Sequence, residues 1–442
     1  MLFSDRDLRK LIVPLVVEQL LAVTIGMADT LMVASCGEAA VSGISLVDTI
    51  SILLVGLFGA MASGGAVVAA QYIGKKDREM VGKASTQLFL AVGIFSLVLM
   101  FAALFGNRFI LKGIYGGVEE EVMRNAEIYF YISAVSYPFL GIYNSGAALF
   151  RAVGNSKISM QISFVSNLLN VVGNAVLIFG FDMGVAGAGF STLAARVVSA
   201  VAICGLLAKS SEIPMGKSWK PDGGLLYKIL YIGVPSGVEN SIFQIGKLLL
   251  SSLIASFGTV AITANAVVGN IGSFQLIPGN AIGMAMITVI GQCIGAKEMK
   301  QASYYNKKLI KTAYLFMIVL GVVTMVIARP ACELYQLSEE TTNLTVLILI
   351  YNSICCMLVH PLSFAEANAL RAAGDVKYTM IVSIASMWIC RIVLAYVLAD
   401  YMGMGLFGVW IAMTIDWCVR AAFFTGRVRS GKWTSHANRL VG

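Results

Sequence analysis

The sequence predicts an all-α integral membrane protein, in which twelve transmembrane helices form two parallel six-helix repeats around a central cavity. Three observations lead to this fold. Hydrophobic residues make up 58% of the 442 residues and charged residues 13%, whereas soluble domains carry about 25% charged residues. Apolar stretches of about 20 residues, the length that crosses a bilayer, recur along the whole chain. The second half also repeats the first at a nearly fixed offset.

Each half contains six apolar stretches that are long enough to span a membrane. The second and eighth stretches are longer than a bilayer requires and rich in glycine, so we expect them to be bent or tilted. In chain order, the predicted spans are 11–35, 41–73, 85–106, 126–149, 158–180, 184–208, 229–257, 260–295, 312–329, 343–368, 378–399 and 404–425.

Lysine and arginine residues lie mainly at the two chain ends and in the even-numbered connections between spans. Positively charged loops remain in the cytoplasm, so both termini are expected to face the cytoplasm from a multi-pass position in the inner (plasma) membrane. The net charge of +8 therefore indicates topology and contact with anionic lipids. It does not indicate nucleic-acid binding.

An internal repeat relates the two halves. An offset of 221 residues separates Pro14 from Pro235 and Glu18 from Glu239, and an offset of 220 separates Arg151 from Arg371. Six spans per half is an even number, so the two halves enter the membrane from the same side, as in transporters built from parallel repeats. We expect an N-terminal lobe at 1–208, a cytoplasmic linker at 209–228 and a C-terminal lobe at 229–442.

The sequence lacks the motifs of an enzyme or an ATP-driven pump. Gly216-Lys217-Ser218 resembles the end of a P-loop, but Ser211 stands where that motif requires glycine. Protease and hydrolase signatures are absent, the eight cysteines show no ligand spacing, and His360 and His436 are too few for a histidine metal site. We therefore expect no enzymatic activity and no cofactor, and transport would draw on an ion gradient.

Polar residues inside the spans of the first half are candidates for ion binding, because an ionisable group at membrane depth is costly. Glu18 and Asp29 lie eleven residues apart in span one, nearly on one helical face. Asn170 and Asn174 share a face of span five, and Thr192 lies in span six. The carboxylates could take up a proton or a cation such as Na⁺, or could be capped near a helix end. The amides could bind Na⁺ or only join neighbouring helices.

The second half carries further intramembrane charges at Glu239, Lys247 and Glu366. Glu239 and Lys247 lie eight residues apart on roughly one face of span seven. Lys247 is either a structural counter-ion of Glu239 or a switchable charge in the transport path. Glu366 is a candidate because its position in span ten predicts burial.

Other charges are expected to have structural roles. Asp416 and Arg420 are spaced for an ion pair within one helix. Arg151 and Arg371 precede glycine-containing turns and are expected to anchor span ends at the cytoplasmic surface. Arg391 is expected to extend towards the interface, although its position in the span is deep.

At these residues the chain resembles the MATE (multidrug and toxic compound extrusion) transporters over nearly its whole length. The resemblance rests on the twelve spans in two halves and on four short strings, taken together in their order along the chain. These strings are Ala28-Asp29-Thr30, Gln71-Tyr-Ile-Gly74, Gln292-Cys-Ile-Gly295 and Leu370-Arg-Ala-Ala-Gly-Asp375.

The resemblance implies a V-shaped pair of six-helix bundles and an antiporter that expels organic, often cationic, compounds in exchange for H⁺ or Na⁺. By position, it assigns Asp29, Asn170, Asn174 and Thr192 to a coupling-ion site in the N-terminal half. One branch of the family carries aspartate where this chain has Asn174, so the coupling ion stays open. The second half departs from the family pattern around Glu239, and the resemblance assigns no ion site there.

Two alternatives compete with an antiporter of organic cations. One is a flippase of the same superfamily that moves a lipid-linked precursor, and the other is a channel. A cationic substrate is favoured because the predicted buried acids outnumber the buried bases. Those acids are Glu18, Asp29, Asp48, Glu239 and Glu366. We expect a monomer, because one chain would contain the complete path between its halves.

Overall fold

The computed structural model describes residues 1–216 and 218–434, so Lys217 of the predicted linker and His436 lie outside the described residues. The described residues form α-helices joined by turns and four π-helical segments. The helices are α1 (Asp5–Ala34), α2 (Glu38–Gly74), α3 (Arg78–Tyr115), α4 (Glu120–Val135), α5 (Tyr137–Ala152), α6 (Ser156–Asn174), α7 (Gly184–Lys209), α8 (Gly223–Ala255), α9 (Thr259–Gly295), α10 (Met299–Leu334), α11 (Glu339–His360), α12 (Glu366–Ala372), α13 (Val376–Ser386) and α14 (Gly405–Arg429).

The repeat seen in the sequence reappears in the backbone. The helix pairs α2 and α9, α3 and α10, and α7 and α14 each begin 221 residues apart. The turns repeat as well: Gly37 and Gly258 precede α2 and α9 with φ of 97° and 89°, and Lys76 and Lys297 have φ of 59° and 60°. Left-handed φ values are uncommon away from glycine, so their recurrence at matched lysines reflects a shared turn geometry.

Four of the predicted spans are not continuous α-helices, and in two of them a proline lies at the interruption. The span predicted at 126–149 consists of α4 and α5, which break at Ser136, two residues before Pro138. Proline lacks a backbone N–H and disfavours helical geometry in the residue before it, which accounts for the break. The matched span of the second half contains a π-helical segment that begins at Pro361. A proline in the fourth span of each half therefore interrupts the α-helix there.

Ten helical stretches of the described chain are long and apolar enough to cross a membrane. The α4–α5 pair and α8 complete the twelve predicted spans. α8 carries Glu239, Asn240, Gln244 and Lys247, which lower its mean hydropathy. The predicted all-helical membrane fold with two repeats is confirmed.

The chain forms two compact units. One comprises Asp5–Gly237, and the other begins at Val238 and includes Met1–Ser4, so α8 starts in the first unit and continues into the second. In the second unit, the Phe3 backbone N–H donates to the Tyr305 hydroxyl over 3.0 Å. The division into lobes at 209–228 stays a prediction.

The segment between α7 and α8 is fixed to α3 within the first unit. The Gln87 side chain donates to the Lys220 carbonyl over 2.8 Å and accepts from the Asp222 backbone N–H over 3.1 Å. Asp222 then caps the start of α8, because its Oδ1 accepts from the backbone N–H groups of Gly224 and Leu225. The polar sequence of this segment thus supplies the cap that starts α8.

Gly64 of α2 allows the close approach of α8 in the first unit. A Cβ atom at Gly64 would lie 2.6 Å from the Ile229 carbonyl oxygen and 2.8 Å from the Gly233 nitrogen, both backbone atoms. We expect Gly64→Ala to lower the free energy of unfolding by about 1–3 kcal/mol, the usual cost of overpacking. Thermal unfolding of the purified protein in detergent measures this loss. Gly59→Ala, where a Cβ would meet no atom within 4 Å, is the control, and an equal loss there would contradict the packing argument.

Candidate ion-binding site

Asp29 of α1 and Asn174 of α6 are joined by a hydrogen bond. The Asn174 side-chain amide donates to Oδ1 of Asp29, and Asn174 is fully buried. The Oδ1 of Asn174 accepts no hydrogen bond from the described residues. A π-helical segment begins directly after Asn174, and such segments are frequent at functional sites. The pair therefore offers a carboxylate and an adjacent amide oxygen in the first unit.

Asn170 lies one helical turn before Asn174 and contacts α7. Its side-chain amide donates to the Thr192 hydroxyl over 3.1 Å, and its backbone carbonyl accepts from the Ser191 hydroxyl over 2.6 Å. Gly173 makes room for this contact, because a Cβ there would lie 2.5 Å from the Ser191 hydroxyl. The four residues assigned by resemblance thus form two hydrogen-bonded pairs, both of which involve α6.

Three further residues of the first unit lie within electrostatic range of Asp29 or of one another. Asp48 of α2 interacts electrostatically with Asp29 and with Arg196 of α7. The Tyr129 hydroxyl of α4 lies within electrostatic range of all three groups. The direct hydrogen bond of Arg196 goes to the Ser136 hydroxyl, over 2.5 Å, at the break between α4 and α5. Asp48, one of the predicted buried acids, therefore lies within electrostatic range of Asp29.

The cluster offers ligands suited to a hard monovalent cation or a proton. Carboxylate, amide and hydroxyl oxygens are the ligands that such cations prefer, and these groups are present at Asp29, Asn174, Asn170 and Thr192. A transition-metal site is not indicated, because the described residues contain no group of three or more His, Cys, Asp or Glu side chains that could hold a metal.

Glu18 and Glu239 form matching ion pairs in the two halves. In the first unit, Arg151 Nη1 lies 3.5 Å from Glu18 Oε1, and the Ser159 hydroxyl donates to Glu18 over 2.8 Å. In the second unit, Arg371 Nη2 donates to both carboxylate oxygens of Glu239 over 2.8 Å. Both members of each pair recur at the offset of the internal repeat, which is the signal in the sequence that marks them as a matched set.

These ion pairs correct two expectations. Arg151 and Arg371 were expected to act as surface anchors, but each pairs with a carboxylate and both side chains are mostly buried. The partner of Glu239 is Arg371 rather than Lys247. Two further residues of the Leu370–Asp375 string also have structural roles. Asp375 pairs with Arg427 over 2.7 Å, and Gly374 adopts a φ of 82°.

The remaining candidates lie in the second unit. The predicted pair of Asp416 and Arg420 is present at 2.8 Å, and Arg391 also pairs with Asp416 at 3.1 Å. Arg391 does not extend to the interface, because its side chain is buried, as its deep position in the span allows. Glu366 is buried as expected, and it accepts a 2.7 Å hydrogen bond from the Thr425 hydroxyl.

Comparison with known proteins identifies a family. The sequence model of the MatE family matches residues 14–176 and 235–397, two segments separated by the same 221-residue offset as the repeat. An uncharacterized transporter YisQ of Bacillus subtilis is 27% identical over 95% of this chain and 93% of its own length. Probable multidrug resistance proteins NorM are 26% identical in Thermotoga maritima, over 98% of this chain and 94% of theirs, and 28% identical in Halalkalibacterium halodurans, over 90% and 88%.

Solved structures share the fold. A MATE crystal structure in complex with MaL6 superposes with a TM-score of 0.91 and 20% identity, over 97% of both chains. An outward-facing multidrug resistance MATE family transporter of the MOP superfamily gives a TM-score of 0.90 and 20% identity, over 97% of this chain and 96% of that one.

Proposed function

Because the chain belongs to the MatE (multidrug and toxic compound extrusion) family, we propose that it is a secondary active antiporter that exports organic compounds in exchange for H⁺ or Na⁺. Membership makes the chain a multi-pass membrane efflux transporter for small molecules that is not an enzyme and needs no cofactor. The antiport mechanism, the coupling ion and the substrate class are the proposal.

The hydrogen bond between Asp29 and Asn174 is the observation that carries the proposal. Asp29 is a carboxylate within a membrane-spanning helix, and such groups commonly form ion and proton pathways. Asn170 and Thr192 supply further oxygen atoms to the same part of the first unit. We assign the coupling ion to these four residues.

Exchange follows from electrostatics at this cluster. Protonation of Asp29, or Na⁺ binding there, removes one negative charge and so weakens the attraction of a cationic compound nearby. Thermodynamic linkage then requires the bound compound to weaken ion binding by the same factor. In this scheme Pro14, which lies inside α1, permits that helix to bend between states.

The balance of charged side chains in the first unit supports a cationic substrate. Glu18 and Glu239 are neutralised by Arg151 and Arg371, so they no longer count as surplus negative charge. The Asp29 cluster keeps two carboxylates, Asp29 and Asp48, against one arginine, Arg196. Its net charge is therefore negative when both carboxylates are ionised, which favours a cation.

Orientation and assembly belong to the same proposal. The placement of lysine and arginine supports cytoplasmic termini in the inner (plasma) membrane. We propose that the protein works as a monomer among membrane lipids.

Efflux from proteoliposomes tests the function. Vesicles that contain the purified protein and ethidium are exposed separately to a pH gradient and to a Na⁺ gradient. We expect one of the two gradients to accelerate ethidium efflux several-fold over the rate measured after an ionophore has collapsed that gradient. Efflux that is insensitive to both gradients would contradict ion-coupled export of this cation.

The flippase alternative has its own supporting observation, since Lys247 and Arg391 line a cavity in the second unit. A flippase would bind a lipid pyrophosphate and would show no ion-driven ethidium efflux. Binding of a lipid pyrophosphate together with the absence of ion-driven ethidium efflux would favour the flippase.

A further inference from the structure

A cavity of about 530 Å³ lies within the second unit. This volume falls in the range of small-molecule sites, which are mostly apolar with a few placed polar groups. Aromatic side chains form much of its wall, namely Phe243, Phe364, Trp410 and Trp417. An aromatic or alicyclic body of moderate size therefore fits its lining.

The charges of this cavity have one sign. Among the described residues that line it, Lys247 and Arg391 carry charge and no carboxylate contributes. On α8, Phe243 and Lys247 are four residues apart, so both present to the cavity from one helical face. The amides of Asn265, Asn280 and Asn352 add polar groups to the lining.

The Asp416 carboxylate pairs with Arg391 of the cavity wall and is shared with a second arginine. Asp416 pairs with Arg391 at 3.1 Å and with Arg420 at 2.8 Å, and it accepts from the Ser386 hydroxyl over 2.5 Å. One carboxylate thus faces two guanidinium groups. Lys247 adds a third basic group, and its electrostatic neighbour is Arg391.

The three basic groups also converge on one aromatic ring. Lys247 Nζ and the guanidinium carbons of Arg391 and Arg420 lie 5.0, 5.1 and 5.5 Å from the centre of the Phe243 ring. Cation–π contacts offset part of the cost of burying positive charge. They do not neutralise it, so the cluster retains surplus positive charge that a ligand anion would balance.

We propose that this cavity binds a small organic acid, whose carboxylate, sulfonate or phosphate group contacts Lys247 and Arg391 while its apolar body contacts the aromatic wall. This site goes beyond the proposed function and is independent of the Asp29 cluster. It adds compounds with an acidic group to the ligands of the transporter.

Fluorescent ligands test the proposal on the full-length protein in detergent. Dansylglycine carries a carboxylate, whereas dansylglycinamide has the same aromatic body without the charge. Trp410 and Trp417 line the cavity, so energy transfer from tryptophan to dansyl reports binding. We expect the acid to bind wild type roughly tenfold or more tightly than the amide, the typical contribution of a hydrogen bond to a charged group. Equal affinities of the acid and the amide would overturn the proposal.

Substitutions at Lys247 test whether the acidic group of the ligand contacts this residue. Lys247→Gln is expected to weaken dansylglycine binding roughly tenfold and to leave the amide unchanged, whereas Lys247→Arg should restore binding of the acid. Lys83→Gln, which alters an exposed lysine of the first unit, should have no effect. An unchanged dissociation constant for the acid in Lys247→Gln would overturn the proposal, whatever the outcome of the transport assays.

Competition separates the two sources of acidic ligands. Displacement of dansylglycine by benzoate supports a soluble organic acid. Displacement by farnesyl phosphate alone supports a lipid phosphate as the source of the same acidic group. Displacement by neither compound would overturn the proposal.

Discussion

Asp29→Asn is expected to abolish the acceleration of ethidium efflux by an ion gradient. Asparagine keeps the shape of the side chain but cannot gain or lose a proton, and it presents no negative charge to Na⁺. The efflux rate under the gradient should therefore fall several-fold, to the rate measured without a gradient. The measurement compares initial efflux rates with and without the gradient, in proteoliposomes that contain equal amounts of folded protein.

Asp400→Asn is the matched control for this variant. Asp400 is an exposed aspartate of the second unit, outside the Asp29 cluster, so its substitution should leave the gradient dependence unchanged. Asn174→Ala should reduce the gradient-dependent rate, because it removes the amide that contacts Asp29. If Asp29→Asn retains wild-type gradient dependence, the coupling site lies elsewhere.

Arg371→Met is expected to destabilise the protein strongly. The Glu239 and Arg371 side chains are 13% and 18% exposed and joined by two 2.8 Å contacts. Removal of one partner from a buried pair leaves an uncompensated charge and costs about 3–5 kcal/mol. The loss should appear as a lower melting temperature in detergent, followed by tryptophan fluorescence.

The double variant Glu239→Gln/Arg371→Met should recover much of this loss, because no buried charge then lacks a partner. Arg151→Met provides the comparison from the matching pair, in which Arg151 Nη1 lies 3.5 Å from Glu18 Oε1. It should be less destabilising than Arg371→Met. A double variant no more stable than Arg371→Met would show that this residue stabilises the protein by something other than the ion pair.

The sequence predicted the helical membrane fold because apolar length and the repeat are properties of the chain itself. The same repeat relates Glu18 to Glu239 and Arg151 to Arg371, so it identifies these four residues as a matched set. Their pairing does not follow from a spacing rule within one helix such as i,i+4, because the partners are more than 130 residues apart. That rule succeeded for Asp416 and Arg420, which lie on one helix.

Contacts between distant helices could not be predicted from spacing. The resemblance named Asp29 and Asn174 together, but nothing in their spacing showed that the amide of one donates to the other. Likewise, Arg391 and Asp416 belong to different parts of the chain and meet only through the packing of α14. The charge of the cavity beside them depends on this packing, so a count of acids and bases along the chain does not predict it.

Ion uptake driven by ethidium efflux tests the central claim of ion-coupled antiport most directly. Proteoliposomes without an imposed ion gradient receive an outward ethidium gradient, while internal pH and tracer Na⁺ uptake are recorded. Antiport predicts that ethidium leaving the vesicles drives H⁺ or Na⁺ inwards, and that Asp29→Asn prevents this movement. Ethidium efflux at the wild-type rate with no movement of either ion would contradict the account and would identify a passive pathway.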